Sequence, residues 1–267
     1  MASDRGEYLS FDRVADLYEA TRYMPPHILA DAARLLSEDA RLTPERLFLD
    51  AGVGTGRFAR HLHRRGVTVI GADISATMLL QARKNEPALR LVRADLRSLP
   101  FPSKRFACAL MVHVLHLIQD WQQVVSEIRR VLVPEGSLYL GMESPKRFPT
   151  TELYYQLAEE REMTLPNLGA RSFDDILSYL MEHGAQMETL DTDHIRWQQT
   201  VRTTDLLQAL RANPFSHLWH VSNQEHQELM QELEGRVKLH PDWKVRTETT
   251  PMHLSLWRVR WSARPEE

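Results

Sequence analysis

The sequence predicts an α/β fold: a doubly wound, mostly parallel sheet of seven strands with helices on both faces and a helical cap inserted near the end. Three observations carry this. Short β-branched or apolar runs alternate with helical patterns of about ten residues as far as Met142. A glycine-rich turn, Gly52-Val53-Gly54-Thr55-Gly56, follows the first such run. An acidic residue stands at the end of each of the first three runs: Asp50, Asp73 and Asp95.

The elements follow in order. Phe11, Val14, Ala15, Leu17 and Tyr18 recur at three- and four-residue steps and predict an amphipathic helix over 11–22, capped by Ser10 and stopped by Pro25-Pro26. A second helix is expected over 27–36. Strands are expected at 46–51, 67–73, 89–94, 106–112 and 137–142, and helices at 57–64, 75–84 and 121–131. Gly66 closes the helix over 57–64. Beyond Ser144 the rhythm changes. Helices are expected at 151–162 and 174–183, a sixth strand at 186–198 and a last strand at 253–261. Between those two strands, Thr203 or Thr204 would cap a helix ending near 210, and another helix runs over 223–233. Residues 203–250 therefore read as a helical insert and not as a separate domain.

Composition narrows the function classes. The 267 residues are 43% apolar, enough for one large domain. Thirty-three Lys and Arg against 36 Asp and Glu leave a net charge of −3, which removes the global electrostatic case for a nucleic-acid or membrane-surface binder. The single cysteine, Cys108, can form no internal disulfide, so a reducing, cytoplasmic setting is expected. The first seven residues lack a signal peptide's apolar core, and the most apolar stretch, 106–118, is too short for a bilayer and contains His113 and His116. Residues 57–105 carry 11 Lys and Arg against three acids. Arg57, Arg60 and Arg64 follow helical spacing, and a solvated helix face is the plainer expectation there.

The glycine loop fits a nucleoside cofactor. Its spacing is Gly52-x-Gly54-x-Gly56, unlike the Gly-x-Gly-x-x-Gly of pyrophosphate binders, and Asp50 precedes it by two residues. A carboxylate there repels a pyrophosphate and attracts an ammonium. This disfavours a nicotinamide-dependent dehydrogenase. Asp73, 21 residues after Gly52, stands where a carboxylate meets vicinal ribose hydroxyls. Asp95 could accept from an adenine amino group, and Ile74 and Met78 could sandwich the ring. Each carboxylate alone could equally be a helix or loop cap. Three at successive strand ends favour one ligand.

Leu49-Asp50-Ala51-Gly52-Val53-Gly54-Thr55-Gly56-Arg57-Phe58, Gly71-Ala72-Asp73-Ile74-Ser75, Met78-Leu79, Arg93-Ala94-Asp95, Pro100-Phe101, Val114-Leu115-His116 and Arg130 to Gly136 together resemble class I S-adenosylmethionine-dependent methyltransferases, closest to the small-molecule type-11 branch. The resemblance covers about 11–143. It implies S-adenosylmethionine as cofactor and a Rossmann-like core over 41–145, with a helical lid in 1–40 and the rest of the sheet and the substrate cap in 146–267. Asp50, Gly52, Gly54 and Gly56 would hold the methionine part, Asp73 the ribose, and Asp95 with its neighbours Leu96, Ile74 and Met78 the adenine. Tyr18 and Arg22 would close over the cofactor. Three departures stand out: Ala107 where the branch often has Asp, Leu117 in place of a second His, and Glu135 in place of a glycine.

Methyl transfer needs orientation more than a fixed catalytic set. His113 and His116 are the general-base candidates, because imidazole titrates near neutrality; pocket lining is the plainer role for both. His113-x-x-His116 has no Asp, Glu or Cys at ligand spacing, so no metal is expected. Val112-His113-Val114 lacks the Asn/Asp-Pro-Pro-aromatic clamp for a flipped base, which leaves a small organic acceptor as the expected partner and nucleic acid disfavoured. Aromatic and histidine residues crowd the span after 190, with Trp219 and its neighbours 214–220 as candidate pocket lining. A non-catalytic cofactor-binding protein, or a non-methylating use of the same cofactor, remains the alternative.

Overall fold

The computed structural model describes residues 23–145, 147–163, 168–212 and 221–261. The helix expected over 11–22, with Tyr18 and Arg22, and the span 214–220 with Trp219 lie outside them.

β1 (Phe48–Ala51), β2 (Val69–Asp73), β3 (Arg90–Arg93), β4 (Phe106–Val112) and β5 (Leu132–Pro145) run parallel in the order β3-β2-β1-β4-β5. β8 (Thr247–Trp261) joins β5 antiparallel and carries β6 (Ala185–Thr189) and β7 (Arg196–Arg202) on its other edge. Helices α1 (Pro26–Asp39), α2 (Arg57–Arg64), α3 (Ala76–Asn85), α4 (Trp121–Val131), α5 (Pro149–Glu160), α6 (Phe173–Glu182), α7 (Thr203–Arg211) and α8 (Asn223–Lys238) complete the described elements. β1 and nearly all of β4 are buried, as central parallel strands covered on both faces must be. Alternate residues feed two cores. Phe48, Cys108 and Leu110 pack with Ile28, Leu29, Leu36, Phe58 and Leu62 of α1 and α2. Leu49, Ala109 and Met111 face the other way, toward Val124 and Ile128 of α4 and Leu180 of α6. α1, part of the segment read as lid, is thus a packed core helix.

Two expectations need correcting. The strand expected over 186–198 is two strands, giving an eight-stranded sheet. Asp191 Oδ1 accepts from the Asp193 N–H at 3.2 Å and Thr192 carbonyl from the Ile195 N–H at 2.8 Å, so a turn interrupts the apolar alternation. Nor does Thr203 cap α7. The N-cap is Arg202, and Thr203 Oγ1 donates instead to Glu248 at 3.2 Å.

The geometry around Glu248 builds the cap. β5 stops at Pro145, opposite Met252, so the first five residues of β8 continue past it as a ribbon paired with β7 alone. Glu248 is buried on this ribbon and accepts from the Thr150 N–H at 2.9 Å, from Thr150 Oγ1 and from Thr203 Oγ1. One carboxylate therefore holds the amino ends of α5 and α7, where helix dipoles favour negative charge. Tyr154, Leu157, Leu207, Leu210, Leu229 and Leu233 close a separate core between α5, α7 and α8. The cap stands beyond the carboxyl ends of the parallel strands, over the place where this architecture binds ligands.

Candidate functional site

The glycine loop leaves β1 with three left-handed glycines, which side chains disfavour. At Gly52 (φ +82°) a Cβ would stand 2.4 Å from Val114 Cγ2, in the segment after β4. At Gly54 (φ +52°) a Cβ would meet no atom of the other described residues within 4 Å. The first glycine therefore serves packing, while the second has room beside its backbone. Gly52→Ala should cost about 3 kcal/mol, combining left-handed strain with overpacking. Thermal unfolding measures it, and a loss below about 1 kcal/mol would remove the clash argument.

Asp73 fastens this loop to the end of β2. Its Oδ2 accepts from the Gly54 N–H and its Oδ1 from the Ser75 N–H, both at 2.9 Å. Helix α3 is capped by Ser75, whose Oγ accepts from the Met78 N–H at 3.1 Å, so Asp73 is not its cap. A carboxylate has about four acceptor sites, more than these two bonds use.

Asp50 is 4% exposed at the end of β1. Burial pushes its carboxyl up to about 7; the Ala59 N–H opposes this, Asp73 adds to it and Arg57 opposes it. Asp50 is thus a buried acid poised to ionise when a cation arrives. Asp95 half-faces solvent, in a fork with Arg97 at 2.8 Å that also takes the Arg97 N–H at 2.9 Å. Burial would raise its carboxyl, but these bonds outweigh burial and hold it below its ordinary value. An adenine amino group would share this carboxylate with Arg97. Ile74 is half-buried, whereas Met78 (2%) and Leu96 (5%) are packed inside. Met78 thus fits packing better than the open side of a sandwich, and Leu96 has only its backbone to offer.

Sequence reasoning missed a buried ion pair beside the loop. Arg57, the first residue of α2, donates to Glu143 on β5 at 2.7 Å, with side chains only 6% and 4% exposed. The expected solvated arginine face therefore begins with a buried one. Eighty-six residues separate the partners, and no local spacing announces such a pair. The Glu143 N–H in turn donates to His113 Nε2 at 3.1 Å. His113 adopts a left-handed backbone (φ +55°) and sits edge-on to His116, with ring centroids 6.2 Å apart. The bond from Glu143 occupies the lone pair that a base would use and places the ring proton on Nδ1. His113 Nε2 is thus engaged by the backbone of β5, and His116 lies beside it as the second of the two base candidates. The segment carrying His116 is held by a close backbone contact, with the Gly169 N–H donating to the His116 carbonyl at 2.9 Å; a Cβ on Gly169 would stand 2.1 Å from the Leu115 carbonyl oxygen. Among the described residues no group of three or more His, Cys, Asp or Glu could hold a metal ion, and no helix is long and apolar enough to cross a membrane.

Residues 49–140, which hold the glycine loop, all three strand-end carboxylates and both histidines, match the methyltransferase domain family. This segment is a methyltransferase domain. The chain is 33% identical over 144 residues to the malonyl-[acyl-carrier protein] O-methyltransferase of Halorhodospira halophila, covering 51% of this chain and 48% of that protein. It is 36% identical over 154 residues to the demethylmenaquinone methyltransferase of Tropheryma whipplei, covering 54% and 63%. It therefore spans about half to under two-thirds of the length of these relatives. A crystal structure from Bacillus halodurans C-125, provisionally assigned as a methyltransferase, superposes with a TM-score of 0.55 at 22% identity, covering 85% of this chain and 98% of that one, and shows the shared fold. Glu143 and the cap lie outside the matched methyltransferase domain.

Proposed function

We propose that the protein transfers a methyl group from S-adenosylmethionine to a small organic acceptor held between the methyltransferase domain and the cap. One observation carries this reading: the Gly54 N–H ties the glycine loop to Asp73, and Asp50, buried at the start of that loop, is close enough to Asp73 to feel its charge, so that the two carboxylates suit a ribose diol and an ammonium. The bound cofactor supplies a methyl group on a sulfonium, which an acceptor atom takes by in-line displacement. Asp50 holds the ammonium, Asp73 accepts from the ribose hydroxyls, and Asp95 with the Leu96 backbone meets the adenine. His116 takes a proton from the acceptor where one must leave, and His113 keeps the strand-end loop in register through Glu143. The cap helices select the acceptor. The two relatives' names, a malonyl-[acyl-carrier protein] O-methyltransferase and a demethylmenaquinone methyltransferase, make carboxylic acids and quinols the first acceptors to assay.

Calorimetry on the parent and on Asp73→Asn tests the cofactor. The substituted amide keeps one acceptor oxygen, so S-adenosylmethionine should bind at least about 10-fold more weakly, as expected for one lost charge-assisted hydrogen bond. Nicotinamide dinucleotide should bind the parent poorly. Tight dinucleotide binding, or indifference of S-adenosylmethionine to the substitution, overturns the assignment.

A further inference from the structure

A cavity of about 700 Å³ opens at the opposite end of the sheet from the glycine loop. Its lining comes from the carboxyl end of α1, the segment before β1, the amino ends of β4, β5 and β6, and the last residues of β8. A volume of this order suits a small-molecule ligand. Four guanidiniums line it, from Arg41, Arg46, Arg258 and Arg260, against two carboxylates, Asp39 and Glu135.

The ion pairs divide these groups unequally. Asp39 is already satisfied, accepting from Tyr139 Oη and from Arg258, each at 2.6 Å. Arg258 is also spoken for, since it pairs with Glu188 as well. The other three arginines have no carboxylate partner among the described residues. Arg260 donates Nε to Ser137 Oγ at 3.1 Å, which fixes the side chain while leaving its terminal nitrogens unbonded. Arg46 spends one nitrogen on the Ala40 carbonyl at 3.3 Å. Arg41 occupies the left-handed position after α1 (φ +47°), where its N–H bonds the Glu38 carbonyl and the Leu42 N–H bonds the Ser37 carbonyl. Glycine is the low-strain residue there, so the arginine side chain is carried at a conformational cost. Three like charges from two segments, the connection between α1 and β1 and the end of β8, thus share one concave surface, an arrangement that focuses positive potential.

We propose that this cavity binds a dianionic oxyanion, the phosphate group of a small phosphate monoester, with Arg41, Arg46 and Arg260 as its donors. Guanidinium forks match phosphate oxygens in pairs, and three of them outnumber the two charges to be neutralised. Glu135 is the one lining acid without an ion-pair partner, and it opposes the ligand. The site is separate from the cofactor reading and stands or falls without it.

The test is titration calorimetry of the full chain in low-salt buffer with inorganic phosphate, glycerol 3-phosphate and malonate, each with S-adenosylhomocysteine present to block the other end of the sheet. Both phosphates should bind. Arg260→Glu and Arg46→Glu should each weaken them at least about 10-fold, and Glu135→Gln should tighten them about two- to three-fold, the scale of one partly screened charge. Arg260 is exposed, so its reversal leaves the fold intact, and unchanged unfolding temperature confirms that. No phosphate binding, binding that both reversals leave within about twofold, or malonate binding more tightly than either phosphate overturns the proposal.

Discussion

Glu143→Leu should lower the unfolding free energy by about 3–5 kcal/mol, because it removes the carboxylate that pairs with the buried Arg57 guanidinium. The pair itself is a weaker source of stability than that figure suggests. Desolvating both ions consumes most of their attraction, so apolar partners of similar size can replace them at little cost. The double variant Arg57→Met, Glu143→Leu should therefore recover most of the loss in urea unfolding. Simple additivity, with the double variant as unstable as both single losses combined, would contradict the buried pair. Arg57 also helps hold Asp50 down, so its replacement by Met should move the Asp50 carboxyl further up.

Asp50 gives the second large effect, a pH dependence with two signs. Its carboxyl stands at about 7 in the fold against 3.8 ordinarily. Between those values the folded protein keeps a proton that the unfolded chain has released, so stability falls as pH rises from about 4 to 7. The slope is at most about 1.4 kcal/mol per pH unit, for a total on the order of 4 kcal/mol. Cofactor binding runs the other way. An ammonium needs the ionised carboxylate, so below pH 7 binding should expel close to one proton, and affinity should rise up to about 10-fold per pH unit until it levels near 7. Calorimetry at pH 6 in two buffers of different ionisation enthalpy counts the proton. Asp50→Asn should bind more weakly and lose the pH dependence. A parent protein that binds with no proton release would sever Asp50 from the ammonium.

The sequence showed most clearly what is local. The helix at Arg57–Arg64, the strand at Phe106–Val112 and the helix at Trp121–Val131 were legible to the residue, because glycine punctuation and apolar periodicity bound them on both sides. The β6–β7 break was hidden because Leu190, Ile195 and Trp197 are all buried, so apolar character persists through the turn. α8 runs to Lys238, five residues past expectation. Val237 is buried one turn beyond Leu233, and Lys238 pairs with Glu234. At the site, the loop glycines and the strand-end acids are fixed by position along the chain and could be read from it. The links from Arg57 to Glu143 and from Glu143 to His113 join segments brought together only by sheet order, which local pattern does not encode.

The ribbon of β7 and β8 has a bearing on how such proteins diversify. Arg202 and Thr247 are cross-strand partners, and the Thr203 N–H donates to the Arg246 carbonyl at 3.0 Å. The chain thus leaves for α7 and returns from α8 at two adjoining points. Everything between them can be exchanged as a cassette without moving a strand of the sheet. What an exchanged module must inherit is narrow: an anchor for Glu248 and a cover for the apolar face of α5, where Tyr154 and Leu157 lie fully packed. On the proposed function, recombination at this one seam would change acceptor preference while the glycine loop and its carboxylates stay untouched.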